Sequence, residues 1–286
     1  LNHKPSYNFE MALKVADVVI DCTPAGNKHK EEHYNKLVDK NKKKKVFIAQ
    51  GSENGFGFPF AHGINDKALK QNEPDFIQVV SCNTHNICSI LSSLSPKLDT
   101  IVDSDFVCIR RANDISQNGS FIASPQVGAH ETIIHGTHHA KDASRVLGTL
   151  YANPNIYSSA MKVNSQYMHV IRFNIMVEGY HDKKNIVNLF RENPFVALTH
   201  KDLSNKVFSF GRDHGYYGRI YNQTVISEPT INVANLSGTT KVTGFCFTPQ
   251  DGNSILSSVA ATLYGLCGEE YFSKMKMFRN FLFSEV

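Results

Sequence analysis

A doubly wound α/β fold is what this sequence predicts, and three observations predict it. Two largely apolar runs, ADVVIDC at 16–22 and VFIAQ at 46–50, each stop at turn-forming residues. A stretch with helical spacing of Tyr34, Leu37 and Val38 lies between them. The chain has 286 residues and is 41% hydrophobic, enough for one large or two ordinary domains around a well-buried core. Apolar runs of this kind suit parallel strands buried on both faces, and their alternation with a helix is the βαβ rhythm.

Taken in order, residues 8–51 read as helix, strand, helix, strand. The first strand ends at Thr23-Pro24-Ala25-Gly26 and the second at Gln50-Gly51-Ser52-Glu53-Asn54. Loops at the C-terminal ends of parallel strands are where ligands bind, so both are candidate cofactor loops. A dinucleotide fold also carries a Gly-rich phosphate loop after its first strand. Residues 55–60, GFGFPF, offer two glycines, but Pro59 and Phe60 replace the remainder and open no helix. With Leu1 rather than Met at the start, the expectation is that the first strands lie upstream. From residue 76 the pattern is strand (76–80), tight polar turn (81–84), then helix, with Ile87, Ile90, Leu91 and Leu94 at helical spacing. Strands are expected at 100–110, 168–177 and 241–247, with polar loops rich in His, Asn and Gly between them. A last helix is expected over 254–265, with Ile255, Val259, Ala260 and Leu263 on one face. There are no internal repeats.

Composition narrows the function classes. No run of 18 or more apolar residues exists, so no membrane span and no membrane partner is expected, and the first four residues lack the apolar core of a secretory signal. The net charge is +4, much of it in Lys40-Asn41-Lys42-Lys43-Lys44-Lys45. Such a run can grip phosphate backbones, but one placed directly before a buried strand reads as a solvated turn, and no nucleic-acid partner is expected. The six cysteines have no regular spacing and form no disulfide framework. Five sit in apolar surroundings, as in Phe106-Val107-Cys108-Ile109, which points to buried reduced thiols in a cytoplasmic protein.

Cys82 is the exception. It lies between a strand and a helix, among Ser81, Asn83 and Thr84, where exposed N–H groups and the helix dipole favour a thiolate. A thiolate adds readily to a carbonyl carbon; the plainer reading is a small residue in a helix cap. A cysteine nucleophile calls for a histidine, and 13 are available. His130-Glu131 lacks a second histidine four residues on, so a zincin helix is excluded. His135, His138 and His139 could form a metal cluster with Cys82, Cys88 or His85, but no CxxC pair supports one, and no metal is expected. The Gly-flanked Gly136-Thr137-His138-His139 reads better as an anion-binding loop. His169 falls on a strand, facing either a site or the core. Arg110-Arg111 at a strand end can hold phosphate or carboxylate, or can simply mark where the strand reaches solvent.

Seven segments in order resemble the archaeal-type (type II) glyceraldehyde-3-phosphate dehydrogenases. They are residues 16–26, Gln50-Gly51-Ser52-Glu53, Val79-Val80-Ser81-Cys82-Asn83-Thr84, Ile109-Arg110-Arg111-Ala112, His138-His139, Met168-His169-Val170 and Thr248-Pro249-Gln250-Asp251. The resemblance implies a Rossmann-type nucleotide-binding domain, incomplete at its N-terminus (1–81 with 249–286), and an α+β catalytic domain with a mixed sheet (82–248). It implies Cys82 as nucleophile and His169 as base, with Ser81, Asn83, Thr84, His138 and His139 around substrate. Gly51, Ser52, Arg110 and Gln250 would contact NAD or NADP. It further implies glyceraldehyde 3-phosphate and inorganic phosphate as substrates, and a homotetramer. The sequence departs from the family at His85-Asn86, where the family has Thr-Gly, at Ala140-Lys141 in place of Gly-Pro, and in a longer stretch from His139 to His169. Two alternatives stand beside it: a related semialdehyde or acyl-phosphate reductase, and a truncated, non-catalytic homologue.

Overall fold

The computed structural model describes residues 4–38, 44–113, 119 and 121–286. Asn8 caps the first helix by accepting from the Met11 N–H, and α1 runs Phe9–Val15. Then come β1 (Val18–Asp21), α2 (Gly26–His29), β2 (Val46–Gln50), β3 (Phe58–Phe60), α3 (Asp66–Asn72) and β4 (Phe76–Val79). α2 continues through residues 30–37 as a wider and then a tighter turn. The four strands form one parallel sheet in the order β1-β2-β4-β3. The period-2 alternation of β2 sends Val46 and Ile48 to one face and Phe47 and Ala49 to the other, and all four are fully buried.

After β4 the chain enters α4 (Cys82–Leu94) and a second sheet. Its elements are β5 (Ile101–Arg110), β6 (Gln126–Val127), α5 (His138–Gly148), β7 (Ile156–Lys162), β8 (His169–Glu178), α6 (Lys183–Glu192), β9 (Val196–Thr199), α7 (Ser204–His214), β10 (Thr224–Ser227), β11 (Asn232–Leu236) and β12 (Thr239–Thr248). The sheet is mixed: the order is β6-β7-β5-β8-β12-β10-β9, with β11 added on β12. β5, β8 and β12 are antiparallel, whereas β5–β7 and β9–β10 are parallel. Strict alternation along β8 buries Ile171, Phe173, Ile175 and Val177, against which α4 sets Ile87, Ile90 and Leu91. The chain then returns to the first sheet. α8 (Ile255–Cys267) lays Leu256, Ala260, Ala261 and Tyr264 against Val46, Ile48, Ile77 and Val79, followed by the short α9 (Tyr271–Lys274). Gly265 permits that approach, since a Cβ there would come within 2.6 Å of Val18.

The α/β class, the parallel sheet and the mixed sheet are as the sequence predicts. The stretches expected to be polar loops are a correction: they contain α5, β7, α6, β9, α7, β10 and β11. In α6 the polar character is one solvent-facing side, with Ile186, Val187 and Phe190 buried on the other. β9 and β10 are four residues each, all buried, too short to show alternation. Of the five cysteines expected to be buried, Cys88, Cys108 and Cys246 are, but Cys267 is half-buried and Cys22 is exposed at the end of β1. Lys40, Lys42 and Lys43 lie outside the described residues. Lys45 is no solvated turn residue: its Nζ donates to the Leu13 and Lys14 carbonyls at the end of α1. Among the described residues, no helix is long and apolar enough to cross a membrane.

Candidate active site

The ends of both sheets meet at one cavity of about 840 Å³. β4 leads through Val80 into Ser81, which caps α4 by accepting from the Thr84 N–H at 3.4 Å. Cys82 is therefore the first helical residue, where the N–H groups lack partners within the helix. Its carbonyl accepts from Asn253 Nδ2 at 2.9 Å, which ties the start of α4 to the segment before α8.

The second wall comes from the end of β5 and the start of β8. Arg111 N–H donates to His169 Nδ1 at 3.0 Å, and Gln250 Oε1 accepts from His169 N–H at 3.1 Å. With Nδ1 as acceptor, the neutral ring carries its proton on Nε2. The base role implied by the resemblance needs the other tautomer. Arg111 is buried, and its Nη2 lies 3.4 Å from Asp251 Oδ1.

The third wall is the start of α5. Gly136 precedes it with φ +69°, and a Cβ there would meet the Ser158 carbonyl oxygen at 2.1 Å, so only glycine fits. Ser158 on β7 accepts from Ala140 N–H at 3.1 Å and shares a 2.7 Å hydrogen bond with Thr137. His138 and His139, expected in a loop, are the first residues of this helix, with ring centroids 4.0 Å apart. His138 is half-exposed and bonded to Glu131 at 2.9 Å, a contact that lowers the Glu131 carboxyl below its usual value. His139 is buried. Burial first, then nearby His138, Arg110 and His169, holds it well below the usual histidine range, so it is neutral at pH 7.

The fourth wall is the loop after β2. Gly51 has φ +74° and open space where a side chain would sit. Its N–H donates to the Val79 carbonyl at 2.8 Å, and Gln78 Nε2 donates to its carbonyl at 3.1 Å. Ser258 on α8 donates to Gln50 Oε1 at 2.9 Å. This open glycine backbone, beside the strand ends, borders the same cavity as Cys82, where loops after parallel strands can hold a ligand.

Ser81, Cys82, Asn83, His138, His139, His169, Gly51, Ser52, Arg110 and Gln250 all border the cavity. Thr84 does not; it is buried, and its hydroxyl lies 2.9 Å from Ser81 Oγ in the helix cap. Phe208, Tyr217, Gly218 and Arg219 also line the cavity and carry no motif that sequence reasoning could find. Asp251, the last residue of the 248–251 segment, lines the cavity too, and nothing in the sequence marks it out there.

Fold and cavity together define an α/β chain with a Rossmann-type sheet, a mixed-sheet partner and a cleft lined by cysteine, histidine and arginine. The chain is similar to archaeal glyceraldehyde-3-phosphate dehydrogenases. It is 27% identical to that of Sulfolobus acidocaldarius over 78% of this chain and 63% of the relative. It is 28% identical to that of Pyrococcus furiosus (77% and 63%) and 27% identical to glyceraldehyde-3-phosphate dehydrogenase 1 of Methanosarcina barkeri (71% and 57%). It thus spans about three fifths of the length of these relatives. No family model matches the chain.

Proposed function

We propose that this chain carries the active site of a phosphorylating glyceraldehyde-3-phosphate dehydrogenase. The observation that carries the reading is the placement of Cys82, at the first turn of α4, in one cavity with His169, the His138–His139 pair, Arg110 and the open backbone of Gly51. The named relatives support the substrate. Residues 1–81 with 249–286 form the cofactor side and 82–248 the catalytic side, a division supported by the packing of α8 on the parallel sheet.

Cys82 as thiolate adds to the aldehyde carbon, and the carbonyl pair moves onto oxygen. In this reading the Asn83 amide and the Nε2–H of His169 donate to that oxygen, so His169 takes a donor's part; the Nδ1 contact with the Arg111 N–H supports the second of these. A nicotinamide dinucleotide, NAD or NADP, held by Gly51, Ser52, Arg110 and Gln250, would supply the two-electron acceptor that turns the hemithioacetal into a thioester. His138, His139 and an arginine hold the substrate's phosphate and the incoming one. Inorganic phosphate attacks the thioester carbon, the carbon–sulfur bond breaks, and Cys82 leaves as thiolate with release of 1,3-bisphosphoglycerate. Ser81 and Thr84 keep the helix start in place.

The test follows absorbance of the reduced nicotinamide after glyceraldehyde 3-phosphate is added with either dinucleotide, with and without phosphate. Phosphate-dependent reduction that disappears in Cys82→Ser, with circular dichroism unchanged, is the expected result. Substantial turnover by the serine variant, or none by the parent chain, overturns the reading.

A further inference from the structure

Beneath the cavity, four buried polar side chains from three elements, α4, α5 and β12, form one line. Asn86 Nδ2 donates to Thr248 Oγ1 at 2.9 Å, Thr248 Oγ1 donates to Asn83 Oδ1 at 3.4 Å, and Asn83 Nδ2 lies 3.5 Å from His139 Nε2. None is more than 3% exposed. At the far end, Asn86 Oδ1 accepts from Cys246 Sγ at 3.3 Å. At the near end, His139 Nδ1 is buried and finds no partner among the described residues.

We infer that Asn86 is a positioning residue which, through Thr248 and Asn83, holds the proton of His139 on Nδ1 and so makes that nitrogen a neutral donor to a substrate oxygen. The substrate half of this rests on the function proposed above; the proton placement does not.

The direction of the line is set at its far end by the Cys246 thiol hydrogen. Burial pushes the Cys246 thiol up to about 12, so it keeps its hydrogen; of its acceptors, Asn86 Oδ1 at 3.3 Å and the Ile171 carbonyl at 3.5 Å, the nearer turns the carbonyl end of the Asn86 amide towards it. The NH2 end then faces Thr248, whose oxygen accepts there, leaving its own hydrogen for Asn83 Oδ1. That contact turns the Asn83 carbonyl away from His139 and its NH2 towards it. Nε2 must therefore accept, and the ring proton sits on Nδ1. A buried donor with no partner is costly to leave unmet, and a ligand oxygen in the cavity would meet it. Were the line reversed, Nδ1 would be bare and the same subsite would select a ligand that donates. Asn86 stands where the resembled family has glycine, so this line is built from a residue of this chain's own.

Ring nitrogen shifts of His139 in the full chain, assigned through His139→Gln, read the proton directly. The parent chain is expected to show Nδ1 protonated and Nε2 bare. Thr248→Val removes the hydroxyl at nearly constant volume and is expected to give a mixture of both forms with kcat/KM down about tenfold; Thr248→Ser is expected to restore both. Asn86→Leu should behave as Thr248→Val does. A proton on Nε2 in the parent chain, or an unchanged Nδ1–H form in either folded variant, overturns the inference. Should the variants fail to fold, the parent spectrum still decides. Absent turnover of glyceraldehyde 3-phosphate would sink the proposed function while leaving the proton placement to be read.

Discussion

His139 and His169 border the same cavity with their protons on opposite nitrogens, and in each case a backbone or amide donor decides which. A neutral imidazole fixed in this way offers a hydrogen bond without bringing a charge, and for His169 in the proposed reaction this suits an oxygen that becomes anionic only as the thiolate adds. Asn83 has the same character, since its oxygen is held by Thr248. Removing one such donor costs about 2.7–4 kcal/mol of transition-state stabilisation, so Asn83→Ala is expected to lower kcat about a hundredfold or more. Steady-state kinetics check this: a variant that raises KM and spares kcat would show that Asn83 serves binding alone. At this scale the sequence was informative where neighbours in the chain are neighbours in the site. Ser81, Cys82 and Asn83 are legible because a strand, a turn and a helix start follow one another there. His138, His169 and Arg110 needed the order of several motifs. Tyr217 and Arg219 arrive on a loop after α7 with no pattern of its own, so nothing local announces them.

At the scale of elements, the start of α4 carries the proposed nucleophile. Its cap is Ser81, and loss of a serine cap costs about 1 kcal/mol. Ser81→Ala is therefore expected to lower unfolding stability by about that amount and to slow alkylation of Cys82, because the N–H groups of the first turn lose their fixed arrangement around the sulfur. Denaturant titration and iodoacetamide labelling measure the two effects; unaltered labelling would separate the cap from the thiol. The same elements show why the fold was partly legible. β2 and β4 are continuous apolar runs ended by turn residues, and α8 repeats apolar residues at helical spacing. β9, β10 and β11 offer four or five residues each, and their pairing is set by partners far along the chain.

At the scale of the whole molecule, the two sheets are joined by buried polar contacts that respond to acid. His85 on α4 donates from Nδ1 to the Ser81 carbonyl at 3.0 Å and bonds through Nε2 to Ser257 on α8 at 2.8 Å. Burial lowers it to about 4 from its ordinary 6.5. In the unfolded chain it takes up a proton first, so its contribution is fully present above 6.5 and is lost as pH falls through 4, about 3 kcal/mol in all. His139 acts in the same direction. Asp21 belongs to a lower window. Burial acts to raise it, but hydrogen bonds from Thr23, Tyr34 and His29 prevail and hold it at about 2, so its contribution is present above 3.8 and lost towards 2. Urea unfolding of His85→Gln is expected to lose markedly less stability than the parent chain between pH 6.5 and 4, with the lower window unchanged. Identical pH dependence of the two would refute this assignment.

The rim of the cavity at Tyr217 has an optical consequence. The chain contains no tryptophan, and Tyr217 is 82% exposed and already holds a positive φ of 55° with an aromatic side chain in place. A lone indole substituted there would glow against a dark background, at the mouth where ligands enter. Its colour and brightness would belong to that mouth alone, so filling and emptying of the cleft could be watched in real time without a coupled assay.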